Sequence, residues 1–286
     1  MKRLFFSALL ISFHFILQGC QTSQKRAIFI HQDHFEICSM LYDIKGNRMV
    51  SQIGTKCDIR MTPCSTFKIP LFLFALQDGL ITNLNTSFKW DGKKQFLPAW
   101  SKDQTAKSWI QNSTVWVSQH LTAKMGMTKV KEHLDSIKYG NANPYSSIDS
   151  FWLTKSPFSF NADSSLKISP EEQLDFLNKM WMDKLPGFTP SQMEMVQEAM
   201  RLPELDQAGL KFYGKTGSGY VEYNKNKRLG WFIGYVMKGD QPFSIVIKIE
   251  DKYPQPEPSF AGSIAKDMAV ELVTHPDIQE KMSQTD

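Results

Sequence analysis

The chain has 286 residues, 42% of them hydrophobic and 22% charged, with a formal net charge of +4. That balance is globular, shows no repeat or low-complexity segment, and contains no Lys/Arg run of the kind that grips nucleic acid, so no nucleic-acid partner is expected. The length accommodates one large domain or two packed lobes.

The amino terminus comes first. Lys2 and Arg3 precede an apolar run from Leu4 to Leu17, broken only by Ser7, Ser12 and His14. The run is short for a membrane span and sized for a signal-peptide core. Residues 1–19 are therefore expected to be a cleaved leader and the protein to be exported to the periplasm. Leu17-Gln18-Gly19-Cys20 resembles a bacterial lipobox, which would make Cys20 the lipidated first residue and anchor the chain to the membrane. An ordinary signal-peptidase site nearby is the alternative. Residues 20–286 are expected to form a single catalytic domain.

Phe35 to Tyr42 and Met49 to Ile53 read as strands around a Lys45-Gly46-Asn47 turn. Cys38 and Cys57 flank this pair, and export permits a disulfide between them. Cys64 is expected to be a buried thiol, and no cysteine spacing suits a metal. From Ser65 the apolar residues Phe67, Leu71, Phe72, Phe74, Ala75 and Leu76 recur at helical spacing, with Gly79 as the stop. Val115 to Lys124 and Thr128 to Leu134 are the next helices. Ser169-Pro170-Glu171-Glu172 and Thr189-Pro190-Ser191-Gln192 are helix starts with capping boxes. Strands return at Leu210, at Leu229 to Met237 and at Phe243 to Ile249, and Ser259 to Val273 reads as a closing helix. The pattern predicts an α+β fold in which both chain ends (about 27–64 and 205–286) share one antiparallel sheet. The middle (about 65–204) forms a helical lobe.

Three short segments carry chemistry. In Ser65-Thr66-Phe67-Lys68, residues i and i+3 of a helix share a face, so Lys68 can reach the Ser65 hydroxyl. A serine needs such a base to become nucleophilic, and an amine serves once burial lowers its pKa. Lys215-Thr216-Gly217, followed by Ser218-Gly219, ends a strand with an ammonium, a hydroxyl and backbone N–H groups. Ser113-Thr114-Val115 offers a second hydroxyl at a helix start. None of the six histidines is spaced as a partner for Ser65. Asp103 and Glu172 are the carboxylates that could be proposed as bases, although Glu172 is accounted for by its cap.

In their order and spacing these pieces resemble the class D serine β-lactamases, the OXA-type oxacillinases. The matching stretches are Pro63-Cys64-Ser65-Thr66-Phe67-Lys68-Ile69-Pro70, Ser113-Thr114-Val115, Tyr139-Gly140-Asn141, Phe151-Trp152-Leu153, Leu166-Lys167-Ile168-Ser169 and Lys215-Thr216-Gly217. The resemblance runs from about Cys38 to the last helix. It implies a serine β-lactamase/penicillin-binding transpeptidase fold and hydrolysis of penicillin-type antibiotics, with the preference among penicillins, oxacillins, cephalosporins and carbapenems left open by the sequence. It implies that Ser65 forms the acyl-enzyme and that Lys68 becomes N-carboxylated by carbon dioxide and acts as general base, with no metal and no other cofactor. It further implies that Trp152 holds the carbamate through its indole N–H and that Val115 shields it. Ser113 would relay a proton to the lactam nitrogen, and Lys215 and Thr216 would orient the substrate carboxylate. Backbone N–H groups of Ser65 and Ser218 would form the oxyanion hole. Three departures stand out: a long connection at 154–165, Cys64 before the nucleophile, and no arginine in Ser259-Phe260-Ala261-Gly262-Ser263 to grip a carboxylate. A penicillin sensor or penicillin-binding protein that keeps its acyl group is the nearest alternative. A non-catalytic envelope lipoprotein is the alternative from another class.

Overall fold

The computed structural model describes residues 28–29, 32–145, 151–152, 164–222, 226–257 and 259–284. The expected leader, Cys20, Leu153 and most of the 154–165 connection lie outside the described residues.

Five antiparallel strands form one sheet in the spatial order Arg48–Gly54, Phe35–Asp43, Gln241–Asp251, Lys227–Lys238, Leu210–Glu222. Strand β1 (Phe35–Asp43) pairs with β2 (Arg48–Gly54) on one side and with β7 (Gln241–Asp251) on the other. The register runs from Phe35 opposite Asp251 to Asp43 opposite Phe243, so the two chain ends share the sheet as the sequence predicts. Strands β5 (Leu210–Glu222) and β6 (Lys227–Lys238) complete it.

Strands β6 and β7 read as nearly continuous apolar runs because both sheet faces are covered. Phe232, Val236, Ile245, Ile247 and Ile249 pack with α6 (Ala261–Thr274) and α7 (Pro276–Ser283) on one face. Trp231, Ile233, Tyr235 and Val246 pack into the helical lobe on the other. That lobe holds α1 (Lys68–Gln77), α2 (Ala106–Asn112), α3 (Val115–Ser136), α4 (Pro170–Trp181) and α5 (Pro190–Ala199). A two-stranded ribbon of β3 (Ser87–Phe88) and β4 (Gln104–Thr105) lies within the segment between α1 and α2.

Both capping boxes are present, at Ser169 with Glu172 and at Thr189 with Gln192. The two helices expected at 115–124 and 128–134 are one element broken at Gly126, whose φ of 77° and ψ of 161° leave helical space. The helix expected from Ser65 begins instead as a 3-10 turn, Cys64–Phe67, and becomes α-helical at Lys68. Among the described residues no helix is long and apolar enough to cross a membrane.

Cys38 and Cys57 are joined, and Cys64 is buried. The bond ties the first strand pair to the segment leading to the Cys64–Phe67 turn. Cys38→Ser is expected to lower stability by about 2–4 kcal/mol. Urea unfolding should show a lower midpoint.

Candidate active site

The site is built on the 3-10 turn Cys64–Phe67. With three residues per turn, such a helix eclipses i and i+3 more closely than an α-helix does. Lys68 Nζ consequently lies 3.1 Å from Ser65 Oγ. Ser65 is half-buried, whereas Lys68 is fully buried. Burial, and then the neighbouring Lys215 ammonium, push the Lys68 amine well below the usual lysine range. A neutral amine beside a serine hydroxyl is a base in hydrogen-bond reach of a nucleophile.

Aromatic rings enclose this amine. Lys68 Nζ sits over the Trp152 ring at 4.7 Å from its centroid. Phe67 fixes the wall, with ring centroids 5.5 Å from Trp152, 5.5 Å from Phe151 and 5.7 Å from Tyr139. Thr62 Oγ1 donates to the Trp152 carbonyl at 3.0 Å, which ties the aromatic wall to the residues before the nucleophile. The indole Nε1 of Trp152 is buried and has no hydrogen-bond partner among the described residues. Leaving such a donor unmatched costs about 1–3 kcal/mol. The donor and the neutral amine together form a pocket suited to a small group on Nζ that accepts a hydrogen bond.

Sequence reasoning missed the support behind the Ser65 turn. Tyr139 donates to Gln173 Oε1 at 3.3 Å, Gln173 Nε2 to Thr66 Oγ1 at 3.0 Å, and Thr66 Oγ1 to the Pro63 carbonyl at 2.6 Å. Gln173 is a fully buried amide on the core face of α4, beside Leu174, Phe176 and Leu177. A polar residue in that apolar stripe was the available signal. Gly140, at φ 55°, lets the Tyr139-Gly140-Asn141 turn lie against the Lys167 carbonyl, where any Cβ would collide. Asn141 then donates from its amide nitrogen to the Ser165 carbonyl at 2.8 Å and accepts the Lys167 N–H at 2.9 Å. The motif thus braces the pocket wall.

Strand β5 forms the opposite side of the cleft. A Cβ on Gly217 would lie 3.0 Å from the Pro63 carbonyl oxygen and 3.2 Å from Cys64 Cβ, so the missing side chain lets the strand approach the nucleophile turn. Lys215 is buried with its Nζ donating to the Thr216 carbonyl at 3.1 Å, and burial lowers its pKa to about 7. β5 is an edge strand, and at its outer side the Gly214 N–H donates to the Met200 carbonyl. Backbone direction alternates along a strand, so the Thr216 and Ser218 N–H groups face the same outer edge. The Ser218 hydroxyl accepts the Gly262 N–H at 2.9 Å and thereby joins β5 to the start of α6.

Ser113 closes α2 and Val115 opens α3. Ser113 adopts the left-handed conformation (φ 56°), as does Cys64 (φ 50°). Each non-glycine residue held there costs about 1–2 kcal/mol. Ser113 is itself an expected site residue and Cys64 adjoins one, and such strain tends to cluster at sites of this kind.

The two candidate carboxylate bases are engaged elsewhere. Glu172 is bonded bidentately by Arg60 and accepts the Ser169 N–H. Burial raises its pKa, but the Arg60 and Ser169 bonds outweigh this and hold it below the usual range. Asp103 is exposed and paired with Lys89, which lowers its pKa. Among the described residues no group of three or more His, Cys, Asp or Glu is placed to hold a metal.

A buried lysine 3.1 Å from a serine hydroxyl beside an edge strand is an arrangement suited to serine acyl transfer. The family model described as penicillin binding protein transpeptidase domain matches residues 36–273. β-Lactamase OXA-1 of Escherichia coli is 39% identical over 209 residues, covering 71% of each chain. The regulatory protein BlaR1 of Bacillus licheniformis is 33% identical over 79% of this chain but only 34% of its own length. The crystal structure of a class D β-lactamase from Bacillus subtilis superposes with a TM-score of 0.72 at 27% identity, covering 91% of this chain and 98% of that one. The chain belongs to the penicillin-binding transpeptidase family and, within it, to the class D β-lactamases.

Proposed function

We propose that this class D enzyme opens the β-lactam amide of penicillin-type antibiotics through an acyl-enzyme on Ser65, and so confers resistance. The observation that carries this reading is the 3.1 Å contact between the Ser65 hydroxyl and a fully buried Lys68. Lys68 or its carboxylated form takes the Ser65 proton as Oγ attacks the lactam carbonyl. The N–H groups of Ser65 and Ser218 receive the oxyanion. Ser113 passes a proton to the departing nitrogen. Lys215 and Thr216, at the end of β5, bind the substrate carboxylate beside Gly217. The pocket fits carboxylation of Lys68, because a neutral amine is the form that reacts with carbon dioxide and the Trp152 indole N–H lacks an acceptor. Once in place, that carboxylate would supply the general base for hydrolysis of the acyl-enzyme. Val115, half-buried at the start of α3, would limit water access to it.

Residues 20–286 would be the catalytic domain, delivered to the periplasm by the leader, and the disulfide suits that oxidising compartment. Cys20 would carry the lipid anchor, and Cys20→Ser would then move the protein to the soluble fraction.

Two measurements test the catalytic reading. A slowly hydrolysed β-lactam should add one acyl mass to the intact protein, mapped to the Ser65 peptide. An adduct on Cys64 or Ser113 would overturn the assignment. A chromogenic cephalosporin should be turned over repeatedly, whereas one stoichiometric burst would mark a sensor that retains its acyl group.

A further inference from the structure

Thr62 lies at a crossing of three parts of the site, and it is buried. Its carbonyl accepts the Trp231 indole N–H from β6 at 3.0 Å. Its neighbour Met61 pairs with Ile168 through both backbone groups, at 3.0 and 2.8 Å. Thr62 is thereby fixed to the sheet on one side and to the residues just ahead of α4 on the other. From that anchored position its hydroxyl accepts the Cys64 N–H at 3.4 Å and donates to the Trp152 carbonyl at 3.0 Å. One oxygen therefore touches both the turn that carries Ser65 and the wall over Lys68.

The donated bond matters because of where it falls on Trp152. A peptide unit is planar, so the two units that flank a Cα decide where its side chain points. The unit ahead of Trp152 is held at the Phe151 carbonyl, which accepts the Leu166 N–H at 3.0 Å and the Ser164 hydroxyl at 2.5 Å. The unit after it is held at the Trp152 carbonyl by Thr62. With both fastened, the ring stays where Lys68 Nζ lies 4.7 Å from its centroid and where its N–H is buried without a partner among the described residues. We propose that the Thr62 hydroxyl is a positioning group: it keeps the Trp152 indole N–H aimed at a carboxylate carried on Lys68, and so sets how tightly carbon dioxide is held there. The proposal rests on the carboxylation reading of Lys68.

The test titrates carbon-13-labelled bicarbonate and reads the Lys68 carbamate resonance, alongside the bicarbonate concentration that gives half-maximal kcat. Thr62→Val keeps the shape and deletes the hydroxyl. It should raise both half-points about 2- to 10-fold, the range of one uncharged hydrogen bond, and saturating bicarbonate should return most of the lost kcat. Thr62→Ala should shift them the same way, and it stands in should the valine form fail to fold. Thr62→Ser keeps the hydroxyl while losing a methyl group and should hold the wild-type half-points, which separates the hydrogen bond from packing at the same position. In a Trp152→Phe background, Thr62→Val should raise the half-points little further, because the donor that Thr62 positions is already gone. Unchanged half-points without the hydroxyl, equal shifts in Thr62→Val and Thr62→Ser, or a full extra shift on top of Trp152→Phe would overturn the proposal. Failure of carboxylation itself has a different signature: the wild type gives no carbamate resonance, and the positioning role falls with it.

Discussion

Lys68→Ala is expected to cost turnover about 10²- to 10⁴-fold, the usual contribution of a positioned general base, and bicarbonate should restore none of it. Wild-type activity should fall in buffer depleted of carbon dioxide and return when bicarbonate is added. The sign follows from the amine. Only neutral Lys68 reacts with carbon dioxide, so acid, by protonating it, drives the carbamate off. Its depressed pKa keeps it reactive at neutral pH. Trp152→Phe keeps most of the bulk of a fully buried ring while deleting the orphaned N–H. It should weaken carbon dioxide binding about 10- to 100-fold, as expected for one hydrogen bond to a charged acceptor. Activity of this variant should therefore rise more steeply with bicarbonate than that of the wild type. Labelled carbon-13 dioxide should give a carbamate resonance in the wild type and none in Lys68→Ala. Turnover indifferent to bicarbonate, with no such resonance, would refute carboxylation.

Lys215 is expected to set the other limb of the pH profile. Burial lowers its pKa to about 7, so below that pH it would offer an ammonium to the substrate carboxylate and above it that charge would be lost. In carbon-dioxide-free buffer kcat/KM should therefore decline through neutrality as pH rises. Carboxylation of Lys68 turns a neutral amine near Lys215 into an anion, so bicarbonate should move this alkaline limb to higher pH. Lys215→Ala should remove the limb and raise KM about 10²-fold or more, the scale of a broken buried charge pair. A profile whose alkaline limb ignores both bicarbonate and the substitution would exclude Lys215 as the carboxylate partner.

The long periodic elements and both capping boxes were legible in the sequence, because each rests on repeated local chemistry. Helix α2, the β3–β4 ribbon and α7 were not. The ribbon is two residues per strand, and the two helices are only seven and eight residues long. The spacing Ser65 to Lys68 fits a 3-10 turn as well as an α-helix, so it located the pair without fixing the element. The left-handed residues Cys64 and Ser113 gave no sign, since neither is the glycine that usually marks such backbone. Gln173 bridges Tyr139 and Thr66, partners distant in sequence, which periodicity alone does not register.

The pairing of β1 with β7 also bears on how the molecule comes to be made. Strand β1 cannot pair with β7, the central strand of the sheet, until almost the whole chain has been synthesised, and β5 joins the sheet only through β6. Contacts so distant along the chain make for slow folding. An emerging polypeptide therefore has no stable sheet to collapse onto, a property suited to threading across a membrane before folding, and any shortened chain that ends ahead of β7 should yield aggregate rather than a weakened enzyme.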